Sequence, residues 1–139
     1  MPPEPFGSRV RWYPFLSWMG LIFFLSHQSF GPPSDPLPWY HELLKQLAPL
    51  PLDKVVHFIL YAILALLGTW PLPHRPWLLF FICVGYGAFD EWHQSFVPTR
   101  HPDIWDLTAD AVGSLSAILI MSWSLRLKSQ PVQSLENKS

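Results

Sequence analysis

Four long apolar segments constrain the fold of this sequence more than any other feature. A helix of roughly 20 residues is needed to cross a hydrocarbon core of about 30 Å. A helix also satisfies nearly all of its own backbone groups, which matters where no water is present. The four segments are each close to that length and cover residues 10–26, 55–72, 77–97 and 104–125. They predict an all-α fold, namely a bundle of four transmembrane helices.

The composition agrees with a membrane environment. Hydrophobic residues make up 50% of the chain and charged residues 14%, whereas soluble domains carry about 25% charged residues. The alternative is a soluble helical bundle with an unusually apolar core. A net charge of −1 does not provide the basic surface that nucleic acids require, so no nucleic-acid partner is expected. The single cysteine, Cys83, excludes an internal disulfide.

The two ends of the chain differ in character. The first apolar segment follows Arg9 and Arg11, as the core of a signal peptide follows basic residues. No small-residue cleavage site comes after it, so an uncleaved helix is expected. Residues 127–139 form a polar tail with the composition of a disordered segment. Residues 1–126 are therefore predicted to be one membrane domain.

The connection between the first two apolar segments is rich in proline and contains one short helical pattern. Asp35 followed by Pro36 is a suitable start for a helix. Apolar side chains then recur at helical spacing, at Tyr40, Leu43, Leu44 and Leu47. The pattern predicts a short amphipathic helix, which either lies on the bilayer surface or packs against a partner.

The distribution of lysine and arginine predicts the orientation. With four spans, both termini and the turn between the second and third spans lie on one side of the membrane. That side holds six basic residues, Arg9, Arg11, Arg75, Arg126, Lys128 and Lys138, and the other side holds three, Lys45, Lys54 and Arg100. Because cytoplasmic loops are enriched in lysine and arginine, both termini are predicted to be cytoplasmic.

The same topology brings polar residues together on the extracytoplasmic side, where spans one and three end and spans two and four begin. Polar residues at helical spacing are Asp53, His57 and Tyr61; Asp90, Glu91 and Gln94; and Asp103, Asp106 and Asp110. Since charged groups that face lipid are costly, these residues should face the interior of the bundle. Small residues should allow helices to approach closely, at Gly85, Gly87, Gly113 and Ala117.

Some of these residues also have simpler structural interpretations. Asp53 and Asp103 are suitable N-caps for the second and fourth helices. Lys54 and Arg100 serve, on the simplest interpretation, only to pair with carboxylates and join helices. The ionisable residues within or beside the apolar segments are stronger functional candidates, and they are His57, Asp90, Glu91 and Asp110.

Four short motifs occur in a recognisable order: "LSHQS" near the end of the first segment, then "DKVVHFILY", "DEWHQSFVPTR" and "DLTADAVG". Together they resemble the VanZ-like membrane protein family over roughly residues 25–117. The matching residues are Leu25, Ser26, Gln28, Asp53, Lys54, His57, Phe58, Tyr61, Asp90, Glu91, Gln94, Phe96, Pro98, Arg100, Asp106, Ala109 and Gly113. Asp110 stands where the family usually has asparagine, so a carboxylate there needs either a proton or a cationic neighbour.

The resemblance implies a multi-pass protein of the bacterial cytoplasmic (inner) membrane. The family is named for a member associated with low-level resistance to the glycopeptide teicoplanin. Combined with the polar stripes, the resemblance gives one set of candidate ligand-binding residues: Gln28, Asp53, Lys54, His57, Tyr61, Asp90, Glu91, Gln94, Arg100, Asp106 and Asp110.

The first functional hypothesis is an extracytoplasmic site that binds an amphiphile. The ligand is a membrane lipid headgroup, a lipid-linked cell-envelope precursor or a lipophilic glycopeptide, the last implying a role in resistance. Lys54 and Arg100 carry the positive charge that holds a phosphate or carboxylate, and arginine does so with two parallel hydrogen bonds.

The alternative hypothesis is a membrane-embedded enzyme that acts on a lipid-linked phosphate. Its candidate catalytic residues are His57, Asp90 and Glu91. A divalent cation is the implied cofactor, held by Asp53, His57, Asp90, Glu91 and Asp106; oxygen ligands favour Mg²⁺, Mn²⁺ or Ca²⁺, and a histidine favours a transition metal. Two further hypotheses are an ion-coupled carrier, which four spans would support only as a homodimer, and a purely structural polar network.

Overall fold

The computed structural model describes residues 9–28, 52–98 and 100–128. These residues form four helices: α1 (Trp12–His27), α2 (Leu52–Gly68), α3 (Pro76–Gln94) and α4 (Ile104–Lys128). No strand occurs within the described ranges, which confirms the predicted all-α class. The predicted amphipathic helix around Tyr40 lies outside the described residues, as does the chain after Lys128.

Each helix overlaps one predicted apolar segment, and prolines explain three of the limits that differ. α2 ends at Gly68, before the end of its segment, because Pro71 has no N–H group with which to continue the helix. α3 begins with Pro76, whose fixed φ suits the first helical turn. α3 ends at Gln94, and the chain turns ahead of Pro98, which disfavours helical geometry in the residue before it.

Two glycines allow close approach between helices, as the sequence predicts. A Cβ at Gly113 of α4 would overlap the carbonyl oxygen of Phe58 in α2. A Cβ at Gly87 of α3 would lie 2.8 Å from Oδ2 of Asp110. The same prediction is wrong for Gly85, because no atom of a neighbouring described helix lies within 4 Å of a Cβ added there. Two residues along a helix correspond to about 200° of rotation, so Gly85 faces away from the neighbour of Gly87.

The apolar core lies between all four helices. Its buried members are Phe15, Ile22, Tyr61, Leu64, Ala65, Leu79, Cys83, Ala117 and Ile118. Two hydrogen bonds to backbone carbonyls fasten α1 to its neighbours. The indole N–H of Trp18 donates to the carbonyl of Leu60 at 2.9 Å, and the hydroxyl of Tyr86 donates to the carbonyl of Met19 at 2.6 Å.

The outer surface of the bundle is apolar and its interior contains charge. Phe81 and Trp123 are each 66% exposed, whereas Asp90 and Asp110 are completely buried. This distribution is the reverse of that in soluble proteins, where carboxylates are seldom fully buried. Within the described ranges one stretch, Ile104–Arg126, is long and apolar enough to cross a membrane, with a mean hydropathy of 1.4. Length and composition therefore support one of the four predicted spans.

Candidate functional site

Polar side chains from all four helices meet where α1 and α3 end and α2 and α4 begin. We call this region the polar end of the bundle. Nine of the sequence-predicted candidates lie there: Asp53, Lys54, His57, Asp90, Glu91, Gln94, Arg100, Asp106 and Asp110. Their contacts form separate groups, around Lys54, between His57 and Asp110, and around Asp90.

Lys54, in the first turn of α2, is surrounded by carboxylates. Its Nζ lies 2.8 Å from Asp53 Oδ2, 2.7 Å from Asp106 Oδ1, and within hydrogen-bond distance of Asp103. The hydrogen bond from Lys54 lowers the pKa of Asp53 and the pKa of Asp103. Burial opposes the charge of Lys54, yet its hydrogen bonds to the three carboxylates raise its pKa above the ordinary value. Lys54 therefore joins α2 to the start of α4 as a charged group.

His57 lies one turn deeper and contacts the carboxyl group of Asp110. His57 Nδ1 lies 3.0 Å from Asp110 Oδ1. An ionised Asp110 would accept a hydrogen bond from Nδ1–H in this contact, because an ionised carboxylate only accepts hydrogen bonds. The other ring nitrogen, Nε2, faces α4 and lies 4.0 Å from Asp106 Oδ2, which is too long for a hydrogen bond. Nε2 therefore faces Asp106 but does not form a hydrogen bond with it.

Asp90 of α3 faces α1. Its Oδ2 accepts a hydrogen bond from Ser26 Oγ at 2.7 Å and another from Gln94 Nε2 at 3.3 Å. These contacts fix the carboxylate between two helices. They use only one of its two oxygens.

Glu91, the next residue of α3, faces the start of α4 instead of α1, because consecutive helical residues point about 100° apart. Its Oε2 accepts a hydrogen bond from the backbone N–H of Asp103 at 2.7 Å. Asp103 in turn accepts from the backbone N–H of Trp105 at 2.9 Å through Oδ1. Asp103 is thus the N-cap of α4, one of the structural roles predicted from the sequence. Asp53, by contrast, lies inside the first turn of α2 and pairs with Lys54.

Three predicted site residues lie at the edge of the polar end, namely Gln28, Tyr61 and Arg100. Arg100 Nη2 donates to the backbone carbonyl of Gln28 at 3.4 Å, so the described contact of Gln28 is made by its main chain. Tyr61 is completely buried one turn below His57. Its carbonyl accepts a hydrogen bond from Ser114 Oγ at 3.4 Å.

A cavity of about 420 Å³ opens at the polar end. One part of its wall is apolar and is formed by Ile22, Leu25, Val56 and Leu60. The other part is polar and is formed by Ser26, Asp53, His57, Tyr61, Asp90, Gln94 and Arg100. We refer to this space below as the cavity. Its two-sided lining suits a molecule with both an apolar and a polar portion.

Several buried oxygens of the described residues have no hydrogen-bond partner: Tyr61 Oη, Asp90 Oδ1, Glu91 Oε1 and Asp110 Oδ2. Leaving such a group unsatisfied costs about 1–3 kcal/mol. Nearby, His57, Glu91 and Asp106 each offer one potential metal-ligand atom, and the three atoms lie within 4.8 Å of one another. Of the five residues proposed from sequence to hold a cation, the structure groups these three, and Asp90 turns toward α1 instead.

The family model described as VanZ/LLP1 matches residues 11–126, and this range contains every residue of the polar end. The chain belongs to the VanZ/LLP1 family. Searches of curated proteins and of solved structures found no match. VanZ-like proteins are typically membrane-associated, in agreement with the apolar stretch of α4.

Sequence reasoning did not include three polar-end residues of this VanZ/LLP1 chain among the candidate site residues. Ser26 belongs to the "LSHQS" motif, which is the signal that identifies it. Asp103 was predicted as part of the polar stripe of the fourth helix and as its cap, but not as a binding residue, although it contacts both Lys54 and Glu91. Ser114, completely buried in α4, lies in no polar stripe, and a lone serine in an apolar helix gives no functional signal.

Proposed function

We propose that this VanZ/LLP1 protein is a multi-pass membrane protein whose cavity binds an amphiphile of the cell envelope. The polar part of the ligand lies among the charged residues of the polar end, and its apolar part follows the wall formed by α1 and α2. The observation that carries the proposal is the two-sided lining of the cavity, apolar at Leu25 and Leu60 and polar at Asp90 and Arg100.

The membrane assignment rests on the reversed distribution of polar and apolar surface. Large side chains such as Phe81, Trp123 and Ile120 are more than half exposed while carboxylates are buried. In a bilayer these exposed faces contact lipid, and the buried charges avoid it. The excess of basic residues at both termini and near Arg75 supports an orientation with cytoplasmic termini and an extracytoplasmic polar end.

The chemistry of the polar part favours a headgroup with both an anionic group and hydrogen-bond donors. Arg100 provides positive charge for a phosphate or carboxylate. Asp90 offers an unpartnered oxygen for a hydroxyl or amine of the same headgroup. Lipid-linked cell-envelope precursors and lipophilic glycopeptides both have this combination, and a resistance role follows if the glycopeptide is the ligand.

The test is to identify the lipid that co-purifies with the protein by native mass spectrometry in detergent. A tryptophan at Val56, which lines the cavity and is 51% exposed, should fill the space and reduce retention of a specific lipid at least about tenfold. Ile59, on the same helix and 48% exposed, provides the matched control, because Ile59→Trp adds the same side chain outside the cavity lining.

Two results would contradict the proposal. One is equal lipid retention in wild type, Val56→Trp and Ile59→Trp. The other is a wild-type protein that carries lipids only in the proportions of the surrounding membrane. Orientation is checked separately with alkaline phosphatase fusions, which should be active after His101 and inactive after His74.

A further inference from the structure

We propose that His57, Glu91 and Asp106 form a binding site for one divalent transition-metal ion, such as Zn²⁺ or Mn²⁺. The residues come from α2, α3 and α4, so the fold, not local sequence, brings them together. One ligand atom from each lies within 4.8 Å of the other two. This site shares His57 with the lining of the cavity, but metal binding does not require a bound amphiphile.

The orientation of His57 is the one that metal-binding histidines adopt. Such a histidine binds the ion through one ring nitrogen and donates the other N–H to a carboxylate. Nδ1 of His57 makes that contact with Asp110 at 3.0 Å. Nε2 then presents its lone pair toward Asp106 Oδ2, 4.0 Å away. Two atoms that each lie about 2.1 Å from one ion are at most about 4.2 Å apart, so this distance is compatible with a shared ion.

Glu91 provides an independent sign that a ligand belongs here. Its side chain is 7% exposed, and its Oε2 is held by the backbone N–H of Asp103. Its other oxygen, Oε1, is buried without any hydrogen-bond partner in the described structure. A metal ion would satisfy this oxygen, which would otherwise carry an uncompensated desolvation cost.

Asp106 is the third proposed metal ligand. Its Oδ1 pairs with Lys54 Nζ at 2.7 Å, and its Oδ2 faces His57. Each of the three ligands therefore has a supporting contact of its own, provided by Asp110, the Asp103 backbone and Lys54. Supporting contacts of this kind fix the orientation of metal ligands.

The charges of the polar end also favour a cation. Six carboxylates lie there against two permanently charged basic residues; the acids are Asp53, Asp90, Glu91, Asp103, Asp106 and Asp110, and the bases are Lys54 and Arg100. A carboxylate that is buried in its ionised form is normally paired with a cation or bound to a metal. One nitrogen and two oxygen ligands select a transition metal, since Mg²⁺ and Ca²⁺ prefer oxygen alone.

The experiment uses the full-length protein, purified in detergent, stripped with EDTA and dialysed against Zn²⁺ or Mn²⁺. Elemental analysis should find one equivalent of metal per wild-type chain, and the bound ion should raise the melting temperature. Glu91→Gln, which keeps the shape of the side chain, should weaken binding at least about tenfold. Asp53→Asn is the matched control: Asp53 belongs to the same acidic group, but its side chain is 57% exposed and it is not a ligand.

Asp110→Asn tests the supporting role of Asp110 and should weaken binding by about 10–100-fold without abolishing it. The proposal is overturned if wild type binds no stoichiometric metal, or if Asp53→Asn and Glu91→Gln lose metal equally. Should Glu91→Gln fail to fold, X-ray absorption of the Zn²⁺-loaded wild type decides the matter. Scattering from one imidazole is expected, and its absence overturns the proposal.

Discussion

The two ends of this bundle are held together by different kinds of contact. Near the turn from α2 to α3, the helices are held together by close packing of apolar side chains. A Cβ at Gly68 would overlap Leu79 and lie 2.9 Å from the ring of Phe15. At the polar end the helices meet through ion pairs and hydrogen bonds, and buried oxygens of Asp90 and Glu91 have no partner. The first end is held by close packing of apolar groups, whereas the second contains buried oxygens without a hydrogen-bond partner among the described residues.

This difference indicates how stability and function are distributed. Van der Waals packing between helices is a main source of association free energy in a bilayer, so the closely packed apolar end should contribute most to the stability of the protein. Proteins commonly depart from ideal packing and hydrogen bonding at functional sites. Substitutions at the two ends should therefore separate stability from binding, and the following predictions test that separation.

The largest effect is expected at Leu64, which is completely buried in the apolar core. Leu64→Ala removes three carbon atoms and leaves a cavity, so the free energy of unfolding should fall by about 3 kcal/mol. Leu66→Ala is the control, because Leu66 lies on the same helix and is 40% exposed. Chemical unfolding in detergent measures both, and metal and lipid binding of the folded protein should not change. Loss of binding in Leu64→Ala would show that the two ends are coupled.

A smaller loss is expected from Lys54→Met, which removes the one basic partner shared by Asp53, Asp103 and Asp106. Breaking a buried ion pair costs about 3–5 kcal/mol. Since the side chain of Lys54 is 25% exposed, we expect about 2 kcal/mol, measured by the same unfolding experiment. A change indistinguishable from that of an exposed substitution would show that these pairs add little.

The same contacts predict how wild-type stability depends on pH. The pKa values of Asp53 and Asp103 are lower in the folded state than their ordinary value of 3.8. Their stabilising effect is therefore fully present above that pH and is lost as the pH falls below it through the folded-state pKa. The melting temperature should decrease in this range, and the decrease should be smaller in Lys54→Met.

The sequence predicted the four helices and most residues of the polar end, but not the contacts between those residues. Apolar segments and i+4 spacing place His57 and Tyr61 on one face without any knowledge of the neighbouring helix. Asp90 and Glu91 are adjacent in sequence, yet one contacts α1 and the other the start of α4. That choice depends on which helix lies on each side of α3, and spacing within one helix contains no such information.

The smallest change in stability, and the clearest functional effect, is expected from Asp90→Asn. The amide oxygen can accept the hydrogen bonds that Ser26 and Gln94 now donate to Oδ2, and the amide nitrogen replaces Oδ1, which has no partner. Removing a buried charge while keeping both hydrogen bonds should change the free energy of unfolding by less than about 1 kcal/mol. Retention of the co-purifying lipid should nevertheless fall, because Asp90 lines the polar part of the cavity.

Asp90→Ala distinguishes this expectation from a purely structural network. The alanine removes the acceptor for Ser26 and Gln94, so it should destabilise the fold by about 1–3 kcal/mol in addition to reducing lipid retention. If Asp90→Asn lost as much stability as Asp90→Ala and kept its lipid, the charge of Asp90 would serve the fold alone. If Asp90→Asn kept its stability and lost its lipid, the carboxylate would serve binding. Stability and binding would then be separable at this one residue of the polar end.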